Sequence, residues 1–421
     1  MKKKLFLIML MLSLVISSLA SCMLMPELDE GDDDGKGGDG VSDTVINVEG
    51  GPNYGDINIT ATANQNLLAA SKAMLSAVSI QCRFEVKKYN FYGSYVGTEM
   101  TGSAGSGVIY KLDKEKGNAY IITNYHVVYH AQSVTQNKIS DDINLFLYGM
   151  EYATNDGGNY AIPATYVGGS MEYDIAVLKV EASTVLMSSN ARSADVADSD
   201  GVSVLDTAIA IGNPDNGGLS ATVGHINVDS EEIDVAFETE SSTKAVRLRV
   251  MRTDAAVNSG NSGGGLFNDK GELIGIVNAK TADSEIENVG YAIPSNVAKA
   301  IADNAIHYSD GAIYRGLLGI TVGVSEYSTK YDTETGKLHR VEKVVVSEIA
   351  DTSAVKDILK VGDVINSITV DGVKHEVTRI HHVVDSMLYA REGSSVTINV
   401  TRGTVSSDKS IVVTSDMISK Y

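Results

Sequence analysis

Apolar and polar positions divide the chain into four stretches. Leu5–Leu19 is a largely apolar run behind Lys2, Lys3 and Lys4. It is short for a membrane span and predicts an export leader. From 23 to about 60 the apolar pattern all but vanishes: "PELDEGDDDGKGGDG" offers acidic charge and glycine and almost nothing to bury. Such a segment stays disordered and is extended by self-repulsion. Helical spacing follows in "NQNLLAASKAMLSAVSI", through Leu67, Leu68, Met74, Leu75 and Val78. Then come short apolar runs punctuated by Gly, Asn and Asp: "SGVIY", "AYIITNYHVV", "INLFLYG", "DIAVLKV", "TAIAIG", "ELIGIVNA" and "VGYAIP". Their spacing predicts an all-β barrel or sandwich. "SNVAKAIADNAIHY" predicts a helix that starts after Pro294 and closes this region near residue 308. From 312 to 421 the strands "YRGLLGITV", "VEKVVVSEI", "VGDVINSITVDG" and "SSVTINVTRG" surround a helix in "TRIHHVVDSMLYAREG" that ends at Gly393.

Composition supports this division. A chain of 421 residues is too long for one core. Forty glycines, five prolines and no tryptophan favour strands and turns over long helices. The net charge of −20, without a basic patch, argues against a nucleic-acid partner. The acidic run at 29–34 lacks the ligand spacing of a calcium loop. The two cysteines, Cys22 and Cys82, imply no disulfide framework. Cys82 stands in the strand pattern "VSIQCRFEV", which predicts a packing residue. The leader ends in Leu19-Ala20-Ser21-Cys22, which resembles the bacterial lipobox, where cleavage leaves a cysteine that carries lipid. Ordinary signal cleavage with Cys22 incidental is the alternative.

Candidate chemistry begins at "AVNSGNSGGGLFN", where Ser262 stands between Gly260-Asn261 and Gly263-Gly264-Gly265. Read alone, this is either a polar loop or a nucleophile on a tight turn with backbone N–H groups turned toward an oxyanion. A nucleophilic serine needs a base and an acid that orients the base. Of eight histidines, His126 ends the strand pattern "AYIITNYHVV", where a rigid element aims it. Asp174 stands at the mouth of "IAVLKV". The order His126, Asp174, Ser262 is one of the known triad orders, with gaps of 48 and 88 residues.

The blocks "GSGVIY", "AYIITNYHVV", "YDIAVLKV", "AIGNP", "TDAAVNSGNSGG", "GELIGIV" and "VGYAIPSN", in this order, resemble the HtrA/DegP-like serine proteases. "YRGLLGITV" and "LKVGDVINSITVDG" extend the likeness toward the C-terminus. After the leader at 1–21 and the tether at 22–60, the resemblance implies a mainly β chain: a trypsin-like double β-barrel at 61–308 and an α+β PDZ domain at 312–421. It also implies that Ser262 attacks, His126 relays the proton, Asp174 orients His126, and the loop of Gly260, Asn261 and Ser262 forms the oxyanion hole. No metal or organic cofactor is implied. Ala256, six before the serine, puts no charge in the S1 pocket, so small aliphatic P1 residues are expected. Leu318, Gly319 and Ile320 would bind a peptide carboxylate, with Arg315 near enough in sequence to assist. The implied partners are unfolded or misfolded polypeptides, protein C-termini, a membrane through lipid on Cys22, and two further copies in a homotrimer. The implied location is the bacterial cell envelope.

Two departures stand beside the nucleophile: Ser259 and Gly265 replace prolines of the family, removing φ restraints there. A non-catalytic, chaperone-like surface lipoprotein that binds peptides through the PDZ domain is the competing function.

Overall fold

Two six-stranded antiparallel barrels follow one another along the chain. The computed structural model describes residues 65–150, 160–278, 289–308 and 310–421; the leader, the tether and Cys22 lie outside the described residues. The first barrel comprises β1 (Ala77–Tyr89), β2 (Tyr95–Asp113), β3 (Asn118–Thr123), β4 (Asp142–Leu147), β5 (Ile162–Ser170) and β6 (Ile175–Val180). It closes in the order β1-β2-β3-β6-β5-β4. The alternation along β1 explains its strand: Val78, Ile80, Cys82, Phe84 and Val86 are buried, while Arg83 and Glu85 are exposed. Burial pushes the Cys82 thiol up to about 12, as suits a packing residue rather than a reactive thiol.

The second barrel comprises β7 (Thr207–Gly212), β8 (Ser220–Glu238), β9 (Thr243–Thr253), β10 (Gly265–Phe267), β11 (Leu273–Asn278) and β12 (Gly290–Pro294). It closes in the order β10-β11-β12-β9-β8-β7. Helical segments are α1 (Gln65–Met74), α2 (Tyr125–Val128), α3 (Thr184–Ser188), α4 (Ser295–His307) and α5 (His381–Met387). Ile211, Phe237, Phe267 and Ile276 share one core with Ile122 and Val177 of the first barrel and with Ala298 and Ile301 of α4. One apolar helix face thus packs on both barrels.

In the C-terminal region β13 (Tyr314–Gly316) pairs with β20 (Ile418–Lys420). The main sheet runs β14 (Ile320–Tyr331), β15 (Leu338–Ile349), β16 (Val364–Val370), β18 (Ser395–Arg402), β19 (Val405–Val412), with β17 (Val373–Glu376) on β16. Its core of Val344, Ile365, Ile368, Val396 and Ile398 also holds Met387 of α5.

Three sequence expectations change. The helix expected over 64–80 stops at Met74, and Ala77 already pairs with Val108 in β1. The strand carrying His126 ends at Thr123, and His126 lies on the helical turn α2. The helix expected over 378–393 is confined to α5. Beyond it, the carbonyls of Leu388 and Ala390 accept from Arg391 Nη1 at 2.8 and 3.2 Å, so side-chain bonds replace helical ones.

Candidate active site

The residues singled out in the first barrel converge. His126 Nδ1 lies 2.7 Å from Asp174 Oδ2, and the His126 backbone N–H donates to Asp174 Oδ1 at 3.0 Å. The Asp174 side chain is fully buried and that of His126 is 17% exposed. A buried carboxylate needs its lone pairs satisfied. Here the second barrel helps: Asn278, at the end of β11, donates from Nδ2 to Asp174 Oδ2 at 2.9 Å. Asn124 Nδ2 donates to the Asp174 carbonyl at 2.8 Å. Both Asp174 oxygens therefore accept, which fixes the carboxylate plane against the imidazole.

Ser262 reaches the same place from the loop between β9 and β10. Its carbonyl accepts from the Ser106 N–H at 2.8 Å. A Cβ built on Gly105 would lie 2.7 Å from Val127 Cγ2 and 3.1 Å from that Ser262 carbonyl, so β2 brings Ser262 beside the residue following His126. Gly263 has φ +84°, and a Cβ there would overlap Thr123 Oγ1 and the Ser106 carbonyl. Only glycine meets both demands.

Buried Ser106 ties the loop to the first barrel. Its Oγ donates to the Gly260 carbonyl at 2.7 Å and accepts from the Asn213 N–H at 2.8 Å. The Ser259 carbonyl accepts from the Asp215 N–H at 3.0 Å. Because the peptide is planar and trans, this turns the Gly260 N–H the other way, and among the described residues it donates to nothing. The Gly263 N–H donates to the Val277 carbonyl and the Gly264 N–H to the Asn261 carbonyl, both at 2.9 Å. Hydrogen bonds thus hold this loop where Ser259 and Gly265 leave out proline, and a Cβ on Gly265 would strike the Phe267 ring.

Ala256 is exposed, and its carbonyl accepts from Thr222 Oγ1 at 2.9 Å. The nearby Asp254 carboxylate accepts from the His225 N–H at 2.6 Å. Leu318, Gly319 and Ile320 lie far along the chain from these groups. They line, with Arg315, Val383 and Met387, a cavity of about 350 Å³. The Leu318 carbonyl accepts from Ser353 Oγ at 2.7 Å and the Gly319 carbonyl from the Ala350 N–H at 2.9 Å. By the same peptide planarity, the N–H groups of Gly319 and Ile320 face away from those donors.

Sequence reasoning did not single out Ser106, Asn124 or Asn278. Asn124 stands two residues before His126, and Ser106 lies in the quoted block "GSGVIY". For Asn278 the sequence gave no signal, since its partner Asp174 lies 104 positions away.

Residues 105–276 match the family described as trypsin-like peptidase domain. A protein named serine protease Do-like HtrA, from Lactococcus lactis subsp. cremoris, is 30% identical over 406 residues, covering 88% of this chain and 92% of that protein. A Bacillus subtilis protein of the same name is 34% identical over 252 residues, 60% of this chain and 50% of its own length. Periplasmic serine endoprotease DegP of Escherichia coli is 34% identical over 269 residues, 63% of this chain and 48% of its own length. The chain thus spans nearly all of the first relative and about half the length of the other two.

Proposed function

This chain belongs to the HtrA family of serine proteases and is a serine endopeptidase, and from that premise we propose that Ser262, His126 and Asp174 are its triad and unfolded or exposed polypeptides its substrates. The observation that carries the assignment is the pairing of His126 Nδ1 with a fully buried Asp174 at 2.7 Å, beside the glycine-flanked serine loop. Ser262 Oγ attacks the scissile carbonyl carbon as His126 Nε2 takes its proton. The charge moving onto the carbonyl oxygen is met by the N–H groups of Gly260 and Ser262, with Asn261 between them. One such donor contributes about 2.7–4 kcal/mol to the transition state. His126 then protonates the leaving amine, and water, deprotonated by the same imidazole, releases the acyl group. Asp174 holds the imidazole with its Nδ1–H toward the carboxylate and stabilises the imidazolium.

Ala256 brings no charge to the S1 pocket, and the Asp254 carboxylate is engaged by a backbone N–H. Incubation of the purified chain with unfolded casein, with cut sites mapped by mass spectrometry, tests substrate and specificity together. Val, Ala or Ile is expected at P1, with natively folded proteins spared. A dominant Lys or Arg at P1 contradicts the pocket assignment, and absence of cleavage contradicts the function.

Residues 312–421 act as a PDZ-type peptide-binding domain. A protein C-terminus lies along β14, its carboxylate on the N–H groups around Leu318, Gly319 and Ile320, its side chain against α5. Lipid on Cys22 holds the enzyme to a membrane of the bacterial envelope, where it serves protein quality control as a homotrimer. Stable anchoring takes two or more acyl chains, each buried CH₂ contributing roughly 0.8 kcal/mol. Metabolic labelling with an alkyne fatty acid should mark the wild type and leave Cys22→Ser unlabelled. Equal label on both places the lipid elsewhere.

A further inference from the structure

Asp174 sits at a turn with φ +47°, in the left-handed region that few side chains adopt and that aspartate enters more readily than most. Residues in such conformations persist where their surroundings over-determine them. Asn124, Asn278 and His126 hold the functional groups of Asp174 itself. The turn that presents it, Met171 to Asp174, is closed by the Asp174 N–H donating to the Met171 carbonyl at 3.2 Å. This turn is also gripped from outside the first barrel. Glu172 pairs with Lys244 of β9. Tyr173, next to Asp174, reaches the C-terminal region, where its hydroxyl accepts from Arg315 Nη1 at 2.6 Å. The Tyr173 and Tyr421 rings meet edge-on, 6.2 Å between centroids. Arg315 is fixed in turn: its guanidinium lies 4.6 Å above the Tyr421 ring, and Nη2 donates to the Tyr421 hydroxyl.

We propose that Tyr173 and Arg315 are positioning residues for peptide hydrolysis: Arg315 on β13 holds the Tyr173 hydroxyl, and Tyr173 holds the turn in which Asp174 meets His126. The proposal rests on Asp174 as the orienting acid. Arg315 is a longer-range partner than Asn124 or Asn278, and it differs from them in belonging to the C-terminal region. It also lines the cavity beside Leu318 and Gly319. Releasing the hydroxyl frees the tyrosine side of the turn, and the added freedom lets Asp174 Oδ2 shift away from the imidazole. Neither residue needs to touch substrate, so the loss falls on kcat and leaves KM alone. Small displacements of a catalytic group are costly even when they begin far from the chemistry.

The test uses the full chain and an amidated fluorogenic peptide with valine at P1, which offers no carboxylate to the C-terminal cavity. Tyr173→Phe keeps the ring and removes only the hydroxyl; Arg315→Gln removes the charge. Each should lower kcat about tenfold with KM within about twofold. The double variant should be no worse than either single one, because both break the same link. In an Asp174→Asn background, Tyr173→Phe should change kcat by less than about twofold, since no oriented carboxylate is left to misplace. Losses that multiply in the double variant, that persist in the Asp174→Asn background, or that appear in KM would overturn the proposal, as would unimpaired single variants. A fall in kcat that merely tracks a lower melting temperature would overturn it too. Should Asp174→Asn itself prove fully active, the triad assignment fails; an impaired Asp174→Asn beside an unimpaired Tyr173→Phe removes the positioning role alone.

Discussion

Ser262→Ala is expected to lower hydrolysis of unfolded casein by about a million-fold while leaving the melting temperature within a few degrees of wild type. The substitution removes Oγ and keeps the backbone contacts that hold the loop. The Ser262 carbonyl still accepts from the Ser106 N–H, and Gly263 still packs on Thr123 and Asn124. The residual rate comes from the oxyanion donors and from binding. His126→Ala should cost about as much, and the double variant no more, because each removes the same concerted step. Single-turnover hydrolysis at high enzyme concentration gives the comparison. A Ser262→Ala variant within tenfold of wild type would remove the nucleophile assignment.

Asp174→Asn should cost about 10⁴ in kcat. In the native chain both Asp174 oxygens accept: Oδ1 from the His126 backbone N–H, Oδ2 from Asn278 Nδ2, with His126 Nδ1 facing Oδ2. Asparagine has one side-chain oxygen, so its amide must confront one of these partners. If the NH₂ turns to His126, Nδ1 becomes an acceptor, the ring proton moves to Nε2, and the imidazole no longer accepts the serine proton. If it turns the other way, it meets the His126 backbone N–H and leaves a buried donor unpaired. Measured kcat should fall while KM stays close to wild type. A loss under tenfold would show that Asp174 does not orient the base.

Much of this arrangement is legible along the chain. Period-two alternation in "VSIQCRFEV" and the largely apolar runs "IAVLKV" and "TAIAIG" became β1, β6 and β7. Ser262 was marked by its glycines, and Gly260 and Gly263 do carry positive φ. Element ends were less legible, because they depend on partners remote in sequence. The apolar spacing through Leu67 and Val78 suits a helix, but pairing of Ala77 with Val108 draws the chain into the sheet three residues after Met74. Likewise, apolar Val127 and Val128 extend the strand pattern past Thr123, yet the chain turns into α2 and so swings His126 toward Asp174. The supporting polar residues were invisible for a related reason. Asn278 and Asp174 are 104 positions apart, and Arg315 and Tyr173 are 142 apart. Nothing local distinguishes an asparagine at a strand end, or a tyrosine in a turn, from its many counterparts that merely meet solvent.

The central claim is that one serine, activated by His126, performs the chemistry. It is tested most directly by treating the native chain with a fluorophosphonate and locating the adduct by mass spectrometry. The expected result is a single adduct on Ser262, approaching one per chain, absent from Ser262→Ala and formed far more slowly in His126→Ala. An adduct on a different residue, or none on a folded and monodisperse sample, would contradict it.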